Sequence, residues 1–217
     1  MRHINKSRVE TENSIKKGWK TILSVIIADV ILTTYILIVG NVNLFLTINL
    51  GISLSPFEPV IALIANFGAI LLLAGGLLVF IFDPKYRSRE ALILTVIGFW
   101  VAIFLGYSLK TYFSVLRPYE QIAYTRTLIY TAPELGGAFP SSHALIAFFV
   151  WTIIAVKAKR YTAPTLLLAS LMAFSRIYVG VHYPLDISIG ILLGILIAVA
   201  LLTVEVGIEY FKSRDLR

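Results

Sequence analysis

Ser175-Arg176-Ile177-Tyr178-Val179-Gly180-Val181-His182-Tyr183-Pro184-Leu185-Asp186 joins two apolar runs, residues 164–175 (continuing toward 180) and 186–204. Ionisable groups held between such runs are costly and are kept for chemistry. Gly180 suits the left-handed residue that ends a helix. Pro184 suits the first turn of the next. The segment therefore predicts a helical hairpin, with Arg176 in one last turn and Asp186 within reach of His182. A carboxylate on one ring nitrogen fixes the tautomer and makes the other a better nucleophile or base. The plainer reading is a structural Arg–Asp pair with a bystander His.

Working outward, four more apolar runs precede these two: residues 21–40, 59–82, 91–109 and 144–156. The chain has 217 residues, 58% hydrophobic and 14% charged, with mean hydropathy +0.85. A soluble domain would carry about 25% charged residues. The expectation is an all-α polytopic membrane protein, a single bundle of six transmembrane helices over residues 1–217. The first run is longer than a signal-peptide core of about 7–15 residues and has no clear cleavage site after it, so it should stay as an anchor. With no Cys, neither a disulfide framework nor a thiolate metal site can form.

The basic residues set an orientation. Fifteen of the nineteen Lys and Arg fall in the 1–20 tail, between runs two and three, between runs four and five, or after run six. Only Lys110, Arg117, Arg126 and Arg176 lie at the other ends. The positive-inside rule then puts both termini in the cytoplasm of a cell-membrane protein, with the Arg176–His182 side facing outward. The net charge of +7 reads as a topology signal with some attraction to anionic lipid, not as a nucleic-acid footprint. Runs four and five look short. From His143 to Lys157 is about 21 Å of helix, against a hydrocarbon core of about 30 Å. Either the bilayer thins there, or the charged ends sit below headgroup level.

Two further segments share that outer side. Lys110 and Arg117 are seven apart, on one face two turns apart if the third helix continues, and Pro118 disfavours helix at Arg117. Alone, the pair reads equally well as a snorkelling Lys and an interfacial Arg. Pro140-Ser141-Ser142-His143 opens the fourth run. Ser141 suits an N-cap, which leaves N–H groups aimed at an anion. Alone it reads as plain capping with an incidental His. His is rare, however: the chain holds three, and the third is His3 in the tail.

Together the three segments resemble the signature motifs of the type 2 phosphatidic acid phosphatase superfamily, K-x6-R-P, P-S-G-H and S-R-x5-H-x3-D. Ten fixed positions are present in order, and Ser142 stands where the pattern usually has Gly. The catalytic region would be 110–186. The resemblance implies a six-helix membrane phosphatase in which His182 is the nucleophile and forms a phosphohistidine, and Asp186 orients it. It implies that His143 is the general acid and then the base, and that Lys110, Arg117, Arg176, Ser141 and Ser142 cradle the phosphate. Phosphoryl transfer needs in-line positioning and charge stabilisation, and three cations supply that with no metal or other cofactor. The implied substrate is a lipid phosphate or diphosphate, with a polyprenyl diphosphate leading and phosphatidic acid or phosphatidylglycerol phosphate close behind. A phosphotransferase, or a lipid-binding or transport protein without catalysis, are the rivals. The sequence sets no oligomeric state.

Other features carry weaker expectations. Asp29 should hydrogen-bond between helices. Glu205 and Glu209 should sit at a solvated helix end. Glu120, Arg126 and Glu134 either shape headgroup choice or are simply solvated. Residues 41–58 should lie at the interface as a short amphipathic segment. Gly68, Gly75 and Gly76 should mark close helix packing.

Overall fold

The computed structural model of the chain describes residues 2–128 and 136–215, with side chains for 18–128 and 136–208. The described residues form α1 (Arg2–Val39), α2 (Asn41–Asn49), α3 (Glu58–Phe82), α4 (Arg89–Phe113), α5 (Pro118–Gln121), α6 (Ser142–Lys157), α7 (Thr162–Tyr178) and α8 (Pro184–Asp215). Among them there is no strand. Four segments are long and apolar enough to cross a membrane: Gly18–Val39, Ser55–Phe82, Arg89–Gln121 and Pro184–Ile208.

Helix α6 is the axis. Helices α1, α3, α4, α7 and α8 all pack on it, and every residue from Ala144 to Val156 is buried. It is apolar all round because it has no solvent or lipid face, as expected for an interior helix. Its 16 residues span about 24 Å, and a helix enclosed by protein need not match a bilayer. Helix α7 has 17 residues.

Small residues set the tightest contact, α8 on α6. A Cβ added at Gly190 would lie 2.7 Å from the Ser141 carbonyl oxygen, and one at Gly194 would lie 2.3 Å from that of Leu145. Gly190-x3-Gly194-x3-Ala198 is a small-residue ladder on one face of α8, and the sequence reading passed over it. Gly68 and Gly76 pack as expected, against Met172 and Val150, whereas an added Cβ at Gly75 would meet nothing within 4 Å. Asp29 accepts a hydrogen bond from Ser188 at 3.2 Å, and Thr33 bonds the same hydroxyl, so α1 is tied to α8 through a polar contact as expected.

At the basic end, Lys157 pairs with Glu205 at 2.6 Å. Glu205 is buried, which corrects the expectation of a solvated carboxylate: α6 ends beside α8, and its last cation needs a counter-charge. Glu209 lies outside the described side chains. The Tyr161 hydroxyl donates to Asp83 at 2.7 Å, joining the α6–α7 turn to the end of α3.

Candidate active site

The hairpin forms as its local signals predict. Helix α7 ends at Tyr178, and Gly180 takes φ +81°. A Cβ there would lie 2.5 Å from the Arg126 carbonyl oxygen. The N–H groups of Val181 and His182 both donate to the Arg176 carbonyl, at 3.2 and 3.3 Å. Helix α8 then starts at Pro184. His182 is 1% exposed, and its Nδ1 lies 3.5 Å from Asp186 Oδ2. That oxygen also accepts from the Tyr183 N–H at 2.8 Å. The separation exceeds hydrogen-bond length, and such contacts commonly tighten once substrate is bound.

Ser141 caps α6, accepting from the Ala144 N–H at 3.5 Å. Its own N–H donates to the Asp186 carbonyl at 3.0 Å, which brings the second segment onto the third. Ser142 sits in the first turn of α6 over Gly106, where an added Cβ would lie 3.0 Å from its hydroxyl. The glycine on α4 thus makes room for the side chain that departs from the family pattern. His143 follows it, partly exposed.

The cationic segment departs from expectation. Helix α4 does not carry Arg117: it stops at Phe113, and Ser114 adopts a left-handed cap at φ 47° with its N–H on the Lys110 carbonyl. Pro118 keeps Arg117 extended at φ −76°, ψ 156°. The chain therefore folds back instead of placing Lys110 and Arg117 on one helical face. The two cations still converge, on the carbonyls of residues 136–138. Lys110 Nζ donates to Gly137 at 2.6 Å. Arg117 donates to Gly136 from Nε and Nη2, at 3.2 and 3.1 Å, and to Gly137 at 3.2 Å. Its Nη1 reaches the Val181 carbonyl, next to His182, at 3.0 Å. Gly137 is closely packed: a Cβ there would lie 3.1 Å from the Val115 oxygen. Arg176 is buried and donates to the Ala65 carbonyl of α3 at 2.8 Å.

These charges act on one imidazole. Burial pushes the His182 pKa well below its ordinary 6.5, and Arg176, Lys110, Arg117 and His143 push it the same way. Burial and cations therefore outweigh the nearby carboxylate, a balance the sequence left open. Among the described residues, no group of three or more His, Cys, Asp or Glu is placed to hold a metal ion.

Glu120 is exposed, and its carboxylate accepts from the Arg117 N–H at 2.6 Å at the start of α5. Arg126 donates to the Ile52 carbonyl at 2.6 Å and lies over the Tyr178 ring at 4.7 Å. Glu134 lies outside the described residues.

Bundle and residues together describe a membrane-embedded protein with a buried cationic site at one end. The chain belongs to the PAP2 superfamily, whose family model matches residues 90–207 and so contains all three segments. It is 35% identical over 159 residues to the Bacillus licheniformis bacitracin transport permease protein BcrC, covering 73% of this chain and 77% of that one. It is 31% identical over 180 residues to a Sulfolobus acidocaldarius undecaprenyl-diphosphatase, covering 76% and 81%. Aquifex aeolicus LpxE is similar in structure, with TM-score 0.65 and 28% identity, over 75% of this chain and 94% of that one. A Bacillus subtilis PAP2-type phosphatidylglycerolphosphate phosphatase shares the fold at TM-score 0.60 and 20% identity, over 86% and 96%.

Proposed function

We propose that this protein is a metal-independent lipid phosphatase that cleaves a polyprenyl diphosphate through a phosphohistidine on His182. The observation that carries this reading is the buried His182, with Asp186 at Nδ1 and Arg176, Lys110, Arg117 and His143 all acting on it. With Nδ1 turned to the carboxylate, Nε2 offers its lone pair to phosphorus. A P–N bond forms as the P–O bond to the leaving group breaks, and His143 protonates the departing oxygen. Neutral His143 then takes a proton from water, which attacks phosphorus and releases inorganic phosphate and free His182. Lys110, Arg117, Arg176, the Ser141 hydroxyl and the Ser142 N–H stabilise the equatorial oxygens. In this reading six helices cross the membrane, both termini are cytoplasmic and the site faces outward.

The substrate class rests on the diphosphatase relative and on a flank of the site. A cavity of about 610 Å³, lined by Tyr107, Lys110, Ser114, Glu120 and Gly137, lies beside the cradle. Tyr107, Phe113 and Leu116 nearby are exposed apolar residues. A lipid headgroup can enter there while its tail stays in the bilayer. One relative bears a transport name, but a carrier needs only the cations, and the His182–Asp186 pair would then have no task.

Phosphate release by the detergent-solubilised protein, from a panel of lipid phosphates and diphosphates with and without chelator, tests this. Release should survive chelation, favour the polyprenyl diphosphate and vanish in His182→Ala. His143→Gln should lower kcat by about 10²–10⁴-fold. Acid-labile phosphate trapped on another residue would reassign the nucleophile, and activity that requires an added divalent ion would overturn the metal-free cradle.

A further inference from the structure

Helix α2 lies outside the three motif segments, yet it grips the hairpin that carries His182. Its Asn41, Phe45 and Asn49 are four residues apart and so share one face. Asn41 Oδ1 accepts from the Leu185 N–H at 3.0 Å. Phe45 is fully buried and meets the Tyr183 ring edge-on, with centroids 5.3 Å apart and planes at 67°. Asn49, also fully buried, donates from Nδ2 to the Tyr178 carbonyl at 2.8 Å, to Arg126 at 3.1 Å and, more weakly, to Ile177 at 3.5 Å. Its Oδ1 accepts from the Arg126 N–H at 2.8 Å.

The bonded groups are ones that need outside partners. Tyr178 ends α7 and Leu185 lies in the first turn of α8, and helix ends leave carbonyl and N–H groups unsatisfied within the helix. Helix α2 supplies an acceptor at one end, a donor at the other and a ring between them. The same Asn49 holds Arg126, whose carbonyl sits against Gly180. The turn from 178 to 186 is thereby held at three points by residues outside the three motif segments.

We infer that α2 is a positioning element, with Asn41, Phe45 and Asn49 setting the line of the His182 imidazole toward the phosphorus atom. This rests on the reading of His182 as nucleophile. The chemistry separates the two Asn residues. Asn41 is used only as an acceptor at a helix N-terminus, where a carboxylate serves as well and is favoured by the dipole. Asn49 is used as a donor to carbonyls, which a carboxylate would repel. Asn41→Asp should therefore keep activity that Asn41→Leu loses, and Asn49→Asp should lose it.

The test is steady-state phosphate release from a polyprenyl diphosphate by the full-length protein, normalised to folded protein from a thermal melt in detergent. Asn41→Leu, Asn49→Asp and the apolar replacement Phe45→Leu should each lower kcat by about 10- to 100-fold, the scale of a displacement of about 1 Å, with KM little changed. Asn41→Asp should stay near wild type. Phe45→Leu and the Asn41 pair keep the proposal testable if Asn49→Asp does not fold. Full kcat in Asn41→Leu and Phe45→Leu overturns the inference, as does equal loss in Asn41→Asp and Asn41→Leu. His182→Ala runs alongside. If it is inactive while the α2 variants are normal, the nucleophile stands and the positioning role falls; if it is active, the nucleophile reading itself falls.

Discussion

Replacing Gly194 with Ala tests how far the site depends on a contact two helical turns away. An added Cβ would lie 2.3 Å from the Leu145 oxygen and 2.8 Å from the Phe149 nitrogen. Both are backbone atoms of a helix buried on every side, so α6 cannot yield. Ordinary van der Waals contact begins at 3.4 Å, so α8 must withdraw by about 1 Å, an overpacking change that costs about 1–3 kcal/mol. Asp186 lies eight residues up the same face, about 12 Å away. Its carbonyl is held by the Ser141 N–H, and at Gly190, between them, an added Cβ would lie 2.7 Å from the Ser141 oxygen. The withdrawal should therefore reach the His182–Asp186 pair and lower kcat by about 10²-fold, as expected for a misplacement near 1 Å. The assay is phosphate release together with thermal melting in detergent. Gly207→Ala is the control, since nothing lies within 4 Å of an added Cβ; it should stabilise by about 0.4–1 kcal/mol and leave kcat alone. Wild-type activity and melting in Gly194→Ala would show that the α6–α8 contact does not set the site.

Because the His182 pKa is held below its ordinary 6.5, kcat/KM should stay level as pH falls through 6.5, and an acid limb at that pH would refute the neutral, cation-surrounded imidazole. The same depression means that the folded state binds fewer protons than the unfolded chain. Its contribution to stability is present above pH 6.5 and is lost as pH falls from there toward the lower folded value; melting against pH should show this, and His182→Gln should flatten it. Glu205→Ala should destabilise by about 1.5–3 kcal/mol, the scale of a hydrogen bond to a charged group, without changing kcat, and a changed kcat would couple the basic end to the site. For orientation, Cys at Ala123 should react with an impermeant thiol reagent in intact cells and Cys at Lys159 should not; the reverse pattern would invert the topology. Ala123 and Lys159 are both exposed and so suit the probes.

What the sequence carries well here is local. Ser141, Gly180 and Pro184 are each legible because a cap or turn is decided by a residue and its near neighbours. The reach of Asp186 to His182 follows from those caps. The errors arise where a distant partner decides. Pro118 signals that the helix does not continue through Arg117, but nothing next to Arg117 announces that Gly136 and Gly137 offer carbonyls on the far side of the site. Glu205 was read as solvated because Lys157, its partner, is 48 positions away and becomes a neighbour only through the α6–α8 contact. That contact had a readable signal in Gly190-x3-Gly194, and Asn41-x3-Phe45-x3-Asn49 had one too. Two amides on one packed face of a helix need partners, and the ends of α7 and α8 have groups to give.

The character of the partners explains how a buried site can hold so much positive charge and still take up an anion. Lys110, Arg117 and Arg176 are oriented by main-chain carbonyls. Carbonyl dipoles hold a cationic head in place without cancelling its charge. Burial lowers the proton affinity of His182, and Arg176, Lys110, Arg117 and His143 lower it further. A neutral imidazole is the form that can attack, so in the proposed reaction burial, together with the cations that would bind phosphate, keeps His182 unprotonated before substrate arrives. An incoming phosphate would neutralise the same cations and raise the proton affinity of the nitrogens around it. On this argument, the field that readies His182 for attack relaxes as the anion enters, and His143, at the partly exposed edge, is the imidazole placed to carry the proton.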